Sequence, residues 1–285
     1  MQSKTIAIGS GKGGTGKTTI STNLAHFLAG KNYHVVLADA DVEEPNVSLF
    51  LRPDSLHVKV AIKQRPVWDE EVCVLCGACA GHCHFNAIIA LPSEILVFPQ
   101  LCHSCYACSE LCPVGALPMA KERIGEIATG LCEGVVVVEG RLDVGQEMAT
   151  PLIAQTLDAA KAHTKEILLC DAPPGTSCSF VQTVRQSDYV VLVSEPTAFG
   201  LNDLTLAVKT VRALNKPFGV VINRVGMGDS AVEMYCEHEG IEIIGRFFHD
   251  KGVARCCALG VLAAQEVPHF KASLEVLAHH LGVLA

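Results

Sequence analysis

No stretch of this 285-residue chain is apolar for long enough to cross a bilayer. The longest apolar runs, such as the one in EGVVVVEG at 133–140, are of strand length. The N-terminal MQSKTIAIGS lacks the apolar h-region of a secretory signal and reads directly as a strand. Positive charge is scarce as well. The 22 Lys and Arg against 30 Asp and Glu leave a net charge of −8, which argues against a nucleic-acid partner held by a basic face. There is no low-complexity segment. A disulfide framework is not expected either, despite 14 cysteines, because such frameworks belong to small secreted domains. These absences lead to the expectation of a soluble, cytoplasmic protein with no nucleic-acid partner and no stable membrane insertion.

What is present begins with apolar residues, 49% of the chain, ample for a core. KTIAIGS, YHVVLADAD, EILLCDAPPG, DYVVLVSEP, PFGVVINR and IEIIGRF read as buried strands. Helical patterns lie between them, over Lys17–Ala29, Leu201–Leu214 and Asp229–Glu239. Near-continuous apolar strands alternating with amphipathic helices predict an α/β fold, a mostly parallel sheet with helices on both faces. The rhythm breaks between 58 and 130, where five prolines and eight of the cysteines fall, and resumes at EGVVVVEG. The expected organisation is therefore a discontinuous host, 1–57 with 131–285, carrying an inserted domain at 58–130. Within the insert, a four-cysteine run followed by FNAI is repeated as a four-cysteine run followed by VGAL.

GKGGTGKT, Gly11 to Thr18, fits the phosphate-loop pattern, directly after a strand and before a helix. Glycines let backbone N–H groups turn inward on phosphates, and the helix N-terminus adds the positive end of its dipole. Lys17 is expected to reach the β- and γ-phosphates, and Thr18 to ligate Mg²⁺. Asp171 supplies a matching acidic strand end. Lys12 is a lysine that the minimal pattern does not need.

With that lysine, KGGTGKTT resembles the deviant Walker A motif of the MinD/ParA/Mrp ATPases and the nitrogenase iron protein. DADVEEPN resembles the switch I of that family, CDAPPG its switch II, and VINR the strand end that offers an Asn to adenine. The resemblance implies an ATP hydrolase with ATP and Mg²⁺ bound through Gly11, Lys12, Gly13, Gly14, Thr15, Gly16, Lys17, Thr18 and Thr19. It also implies a nucleotide-dependent homodimer in which Lys12 crosses to the nucleotide of the other subunit. Asp41 would orient the attacking water, Asp39 would stand near the magnesium shell, Asp171 would hold Mg²⁺ through water, and Asn223 would read the base. Capping or turn chemistry ahead of EEPN is the competing reading of Asp39 and Asp41.

Cys73, Cys76, Cys79 and Cys83 follow C-x₂-C-x₂-C-x₃-C, and Cys102, Cys105, Cys108 and Cys112 repeat it, with Pro113 completing the final C-P. This is the spacing of two-cluster bacterial ferredoxins, in which the fourth cysteine of each run ligates the other cluster. Two 4Fe–4S clusters are expected, one on Cys73, Cys76, Cys79 and Cys112, the other on Cys102, Cys105, Cys108 and Cys83. Structural zinc favours paired C-x₂-C knuckles, which two triple-cysteine runs fit poorly. His84 stands where proline is usual, and Ser104 and Tyr106 stand where glycines are common. The six other cysteines are expected to be mostly buried small hydrophobes.

Phosphate loop and cysteine runs together resemble one branch of the MinD superfamily, ATPases with an inserted ferredoxin domain. Three functions follow. The first is an ATPase acting in iron–sulfur or metal-cofactor assembly or delivery, with a redox or metal-cofactor client protein as partner. The second is ATP-gated electron transfer, as the nitrogenase iron protein implies, although its cysteine pair has no match here. The third is a positioning ATPase. Against it, FKASLEVLAHHLGVLA carries one lysine, and Phe270, Leu274, Leu277 and Leu281 are expected to dock on the protein's own core rather than on a membrane.

Overall fold

The structure, a computed structural model, describes residues 3–284. In chain order its elements are β1 (Lys4–Gly9), α1 (Lys17–Ala29), β2 (Val35–Asp39), β3 (His57–Pro66), α2 (Ala78–Gly81), β4 (Ile88–Ala90) and β5 (Ile95–Val97). There follow α3 (Ala107–Glu110), β6 (Met119–Cys132), β7 (Val135–Leu142), α4 (Thr150–His163), β8 (Ile167–Asp171), α5 (Cys178–Arg185) and β9 (Tyr189–Ser194). The chain ends with α6 (Ala198–Ala213), β10 (Phe218–Val225), α7 (Ala231–His238), β11 (Ile243–Phe248), α8 (Lys251–Leu259), α9 (Ala263–Glu266) and α10 (Pro268–His280).

Nine strands form one sheet in the order β11-β10-β9-β1-β8-β2-β7-β6-β3. The seven from β11 to β7 run parallel, and β6 and β3 then continue the sheet antiparallel. Apolar runs make the central strands because both of their faces are covered. Along β2, Val35 and Leu37 enter one core, shared with α1, α9 and α10, while Val36 and Ala38 enter the other, under α4. Further along the second face, Val190, Leu192, Val220 and Ile222 pack under α5 to α7. The mostly parallel sheet with helices on both faces is thus observed. Phe270, Leu274, Leu277 and Leu281 are all buried, and the Phe270 ring lies 4.9 Å from that of Phe247.

The interval 58–130 supplies two strands to this sheet, since β3 pairs with β6 over its whole length and β6 pairs with β7. Between the ends of β3 and β6 the chain forms a small unit, with β4 and β5 paired antiparallel and one turn of helix in each of α2 and α3. Its centre is Cys79, Ile88, Ile95, Cys108 and Leu117.

Candidate functional site

Three strand ends meet at one edge of the sheet. The register places Asp171 opposite Asp39 on one side and opposite Ile8 on the other, one residue before Gly9 closes β1. The loop from Ser10 to Gly16 then turns into α1, with Gly14 and Gly16 at φ 78° and 94°, a region that disfavours any Cβ. Below, the loop is tightly packed. A Cβ on Gly11 would overlap the backbone carbonyl of Asp203 in α6, and one on Gly16 would overlap the Asn223 amide. Above Gly13 and Gly14 there is open space for 4 Å.

Lys17 and Thr18 open α1 at the mouth of this cradle. The Thr18 hydroxyl donates to Asp171 Oδ2 at 2.6 Å. Asp171 is buried, and its Oδ1 has no hydrogen-bond partner, a costly state for a carboxylate. Burial pushes its pKa up to about 6, against the Thr18 hydrogen bond and the Lys17 charge. Burial likewise raises Asp41 to about 6, and Lys17 again opposes it. An orphaned carboxylate oxygen beside a hydroxyl, with a lysine at hand, is a donor set that fits a hydrated divalent cation carrying phosphates.

Asp39 has a different environment. Its carboxylate accepts from the backbone N–H groups of Asp41 at 3.1 Å, Asn46 at 2.8 Å and Val47 at 2.9 Å. It ties the acidic loop after β2 into a knot that holds Asp41 in place. Burial, followed by the charge of Asp171, holds its pKa well above the usual carboxylate range.

The end of β10 reaches over the loop. Asn223 Nδ2 donates to the Thr15 carbonyl at 2.7 Å, and Arg224 donates to the Gly14 carbonyl at 3.1 Å. Arg224 also pairs with Glu195, and Lys12 Nζ stands 3.4 Å from the other oxygen of that carboxylate. Thr19 Oγ1 lies 3.4 Å from Cys257 Sγ. Glu195 and Arg224 are absent from the sequence expectations. The signal was there for Glu195, an acidic residue directly after the apolar run of β9, much as Asp39 ends β2 and Asp171 ends β8. Arg224 had none, because its contacts depend on a left-handed backbone at φ 57°.

The cysteine unit holds two hollows. Cys73, Cys76, Cys79 and Cys112 line one. Cys83, Cys102, Cys105 and Cys108 line another, whose wall includes Pro66 at the end of β3 and Met119 at the start of β6. The fourth cysteine of each run thus lines the hollow of the other run.

The backbone repeats as the sequence does. Leu75 and Ser104 have φ of 54° and 53°, Gly77 and Tyr106 72° and 64°, Asn86 and Gly115 52° and 69°. Four non-glycine residues in this region are strained, and strain persists only where the surroundings over-determine it. The result is N–H groups aimed at sulfur: Ala87 N donates to Cys83 Sγ at 3.3 Å, and Ala116 N to Cys112 Sγ at 3.2 Å. Leu75 N donates to Cys73 Sγ at 3.4 Å. Burial pushes the Cys108 thiol up to about 11, with Cys102 and Cys105 adding to it, so a thiolate there calls for bound positive charge. Among the described residues, no group of three or more His, Cys, Asp or Glu is arranged to hold a single metal ion. Of the other six cysteines, Cys170, Cys236 and Cys256 are buried as expected, Cys132 and Cys257 are half-buried, and Cys178 is exposed.

Comparison with known proteins agrees with this geometry. A family model described as the CobQ/CobB/MinD/ParA nucleotide binding domain matches residues 6–261. An uncharacterized protein of Methanocaldococcus jannaschii is 33% identical over 224 residues, 79% of either chain. The iron-sulfur cluster carrier protein of Pyrococcus abyssi is 22% identical over 289 residues, covering 95% of this chain and 83% of that one. Among solved structures, the septum site-determining protein MinD complexed with Mg-ADP, from Pyrococcus horikoshii, has a TM-score of 0.64 at 18% identity, covering 98% of this chain and 96% of that one. A likeness at that identity carries the fold alone. The Ser10–Gly16 cradle, the acidic ends of β2 and β8 and the match over 6–261 place the chain in the CobQ/CobB/MinD/ParA nucleotide-binding family, as an ATP hydrolase of the P-loop type.

Proposed function

We propose that this ATPase holds two 4Fe–4S clusters and acts in the assembly or delivery of iron–sulfur or other metal cofactors to a client protein. The observation that carries the reading is the pair of four-cysteine hollows, each completed by the fourth cysteine of the other run, on a backbone that repeats its strained residues. In one hollow Cys73, Cys76, Cys79 and Cys112 are the ligands, and in the other Cys83, Cys102, Cys105 and Cys108. The clusters supply one-electron chemistry or transferable iron and sulfide. The chain supplies thiolates, and N–H donors that stabilise negative sulfur. The distant likeness to iron-sulfur cluster carrier proteins supports this role. On this reading 1–57 with 131–285 is the ATPase domain, and 58–130 is an inserted ferredoxin-like domain that is sewn to it through β3 and β6.

At the nucleotide site, the amides of residues 11–19 cradle the phosphates and Lys17 neutralises charge on the transferred group. Thr18 and Asp171 hold the hydrated Mg²⁺, with Asp39 behind them shaping the loop. Asp41 orients the attacking water, and Asn223 faces the base. ATP promotes a homodimer in which Lys12 leaves Glu195 for the nucleotide of the partner subunit. Among the described residues no helix is long and apolar enough to cross a membrane.

Full four-thiolate ligation suits a group that stays bound, and this favours a second reading, ATP-gated electron transfer to a partner. Anaerobic iron and sulfide analysis with Mössbauer spectroscopy tests the common part. About eight irons per chain are expected from two full cubanes. Stoichiometric zinc with negligible iron overturns it. Lys17→Ala should abolish hydrolysis and leave the iron content unchanged. Apo-client activation by the loaded protein separates delivery from electron transfer, since only delivery lowers the iron content of the donor.

A further inference from the structure

Apart from the imidazoles of His82, His84 and His103, the cysteine unit has no basic side chain of its own. From Val67 to Pro118 there is no lysine or arginine, against five carboxylates, Asp69, Glu70, Glu71, Glu94 and Glu110. Among the described residues, the one buried cation that reaches it comes from the sheet. Lys63, on β3, is 5% exposed. Burying an ammonium is costly unless it is paired and hydrogen-bonded. Its Nζ donates to the Pro99 carbonyl at 3.0 Å and stands 3.9 Å from Glu122 Oε2.

The Pro99 carbonyl also accepts from the Cys102 amide at 3.2 Å. The two contacts share one oxygen, so the ammonium lies within about 6 Å of the Cys102 nitrogen, a range over which a unit charge is strongly felt. Glu122 does not cancel that charge, because Arg65 Nε pairs with it at 3.2 Å and leaves the trio at a net positive charge. Beside Lys63, the Gln64 carbonyl accepts from the Ser104 hydroxyl, which fastens the same cysteine loop to β3. The other hollow has the opposite surroundings. Asp69, Glu70 and Glu71 stand just before Val72 and Cys73, and the Asp69 carbonyl accepts from the Cys73 amide at 3.1 Å.

We propose that Lys63 sets the order of reduction, making the site of Cys83, Cys102, Cys105 and Cys108 the more easily reduced of the two. This rests on the reading that both hollows hold 4Fe–4S clusters. Reduction adds one electron from a low-potential donor and leaves the thiolate set unchanged, so each site gains one negative charge. A buried cation beside one site favours the electron there. That site is the one walled by Pro66 and Met119, so an electron delivered to the unit comes to rest against the nine-stranded sheet.

The test is an anaerobic potentiometric titration of the full, iron-loaded chain, followed by electron paramagnetic resonance. Two couples are expected. Lys63→Met should make reduction at the higher couple about tenfold less favourable, a fall of about 59 mV for one electron, and leave the lower couple in place. Lys63→Arg should restore it, and Lys59→Met, which removes an exposed lysine of the same strand, should shift neither. Glu122→Gln should move the higher couple upward. That reversal of sign separates a charge effect from mere loosening, and it still decides the matter if Lys63→Met fails to load iron. Absence of iron from the wild-type chain defeats the cluster reading itself. Normal loading with the same potentials in Lys63→Met and Glu122→Gln defeats only the role given to Lys63.

Discussion

Gly11 and Gly13 stand two residues apart in one loop, and a methyl group placed on each is expected to fail in different ways. At Gly11 the new carbon would overlap the carbonyl of Asp203, inside α6. Neither side yields cheaply: α6 is fixed by its Thr197 cap, which accepts from Gly200 N at 3.0 Å, and by buried Leu204. Overpacking typically costs about 1–3 kcal/mol, and backbone against backbone puts Gly11→Ala at the upper end. At about 2–4 °C per kcal/mol for a chain of this size, Tm should fall by about 6–12 °C. At Gly13 no heavy atom lies within 4 Å, and the backbone is not left-handed. Gly13→Ala should therefore melt within about 2 °C of the wild type, as surface substitutions do. Its methyl, however, stands on the open side, where phosphate is to be cradled. Each charge-assisted hydrogen bond displaced is worth about 1.5–3 kcal/mol, or about ten- to a hundredfold in affinity. Thermal melts without nucleotide, paired with calorimetric titration of Mg-ATP, separate the two. If Gly13→Ala binds Mg-ATP as the wild type does, the open face is not the phosphate cradle. If Gly11→Ala melts normally, the packing argument fails.

Three further outcomes are expected. Thr18→Ala leaves Asp171 without its hydroxyl partner, and should erase most of the gain in ATP affinity that Mg²⁺ brings over EDTA; an undiminished gain removes Thr18 from the metal site. Asp41→Ala should keep ATP binding while slowing hydrolysis about a hundredfold or more, the usual loss when a group that orients or deprotonates the nucleophile is removed; full turnover in steady-state assays excludes it. Burial pushes the Cys170 thiol up to about 12, so iodoacetamide at pH 8 should label exposed Cys178 and spare Cys170 until the protein unfolds; mass spectrometry of the native protein reads this directly, and early labelling of Cys170 contradicts its burial.

The parts of the fold legible in the sequence are those where one physical demand dominates. Strands buried on both faces must be apolar runs, so β1, β2 and β7 to β11 stood out, and α1 was bounded by Gly16 and Gly30. β3 and β6 did not stand out. Lys59 on one, and Lys121 and Arg123 on the other, are exposed because part of each strand faces solvent, and buried Lys63 breaks the apolar pattern of β3 further. Gly125 and Gly130 interrupt the pattern of β6 because the strand passes close to the Arg141 backbone and to Pro53. The acidic strand ends were legible from their place after apolar runs. Turn chemistry at Asp39 was there as the competing reading, but its partners Asn46 and Val47 were not legible, since they depend on how the loop turns back, and Arg224 was hidden by its unusual backbone.

The strand order also has a consequence for biosynthesis. β1 and β2 are not neighbours: β8 lies between them, and it is made only after residue 166. Until then β1 has no partner in the sheet. β2, β7, β6 and β3, by contrast, are contiguous and complete by Leu142. As the chain leaves the ribosome, the half of the sheet that carries the cysteine unit can therefore assemble first. Only when β8 slots in, bringing Asp171 with it, does the phosphate loop acquire its floor. In the order of synthesis, then, the cysteine unit is complete before the nucleotide site exists.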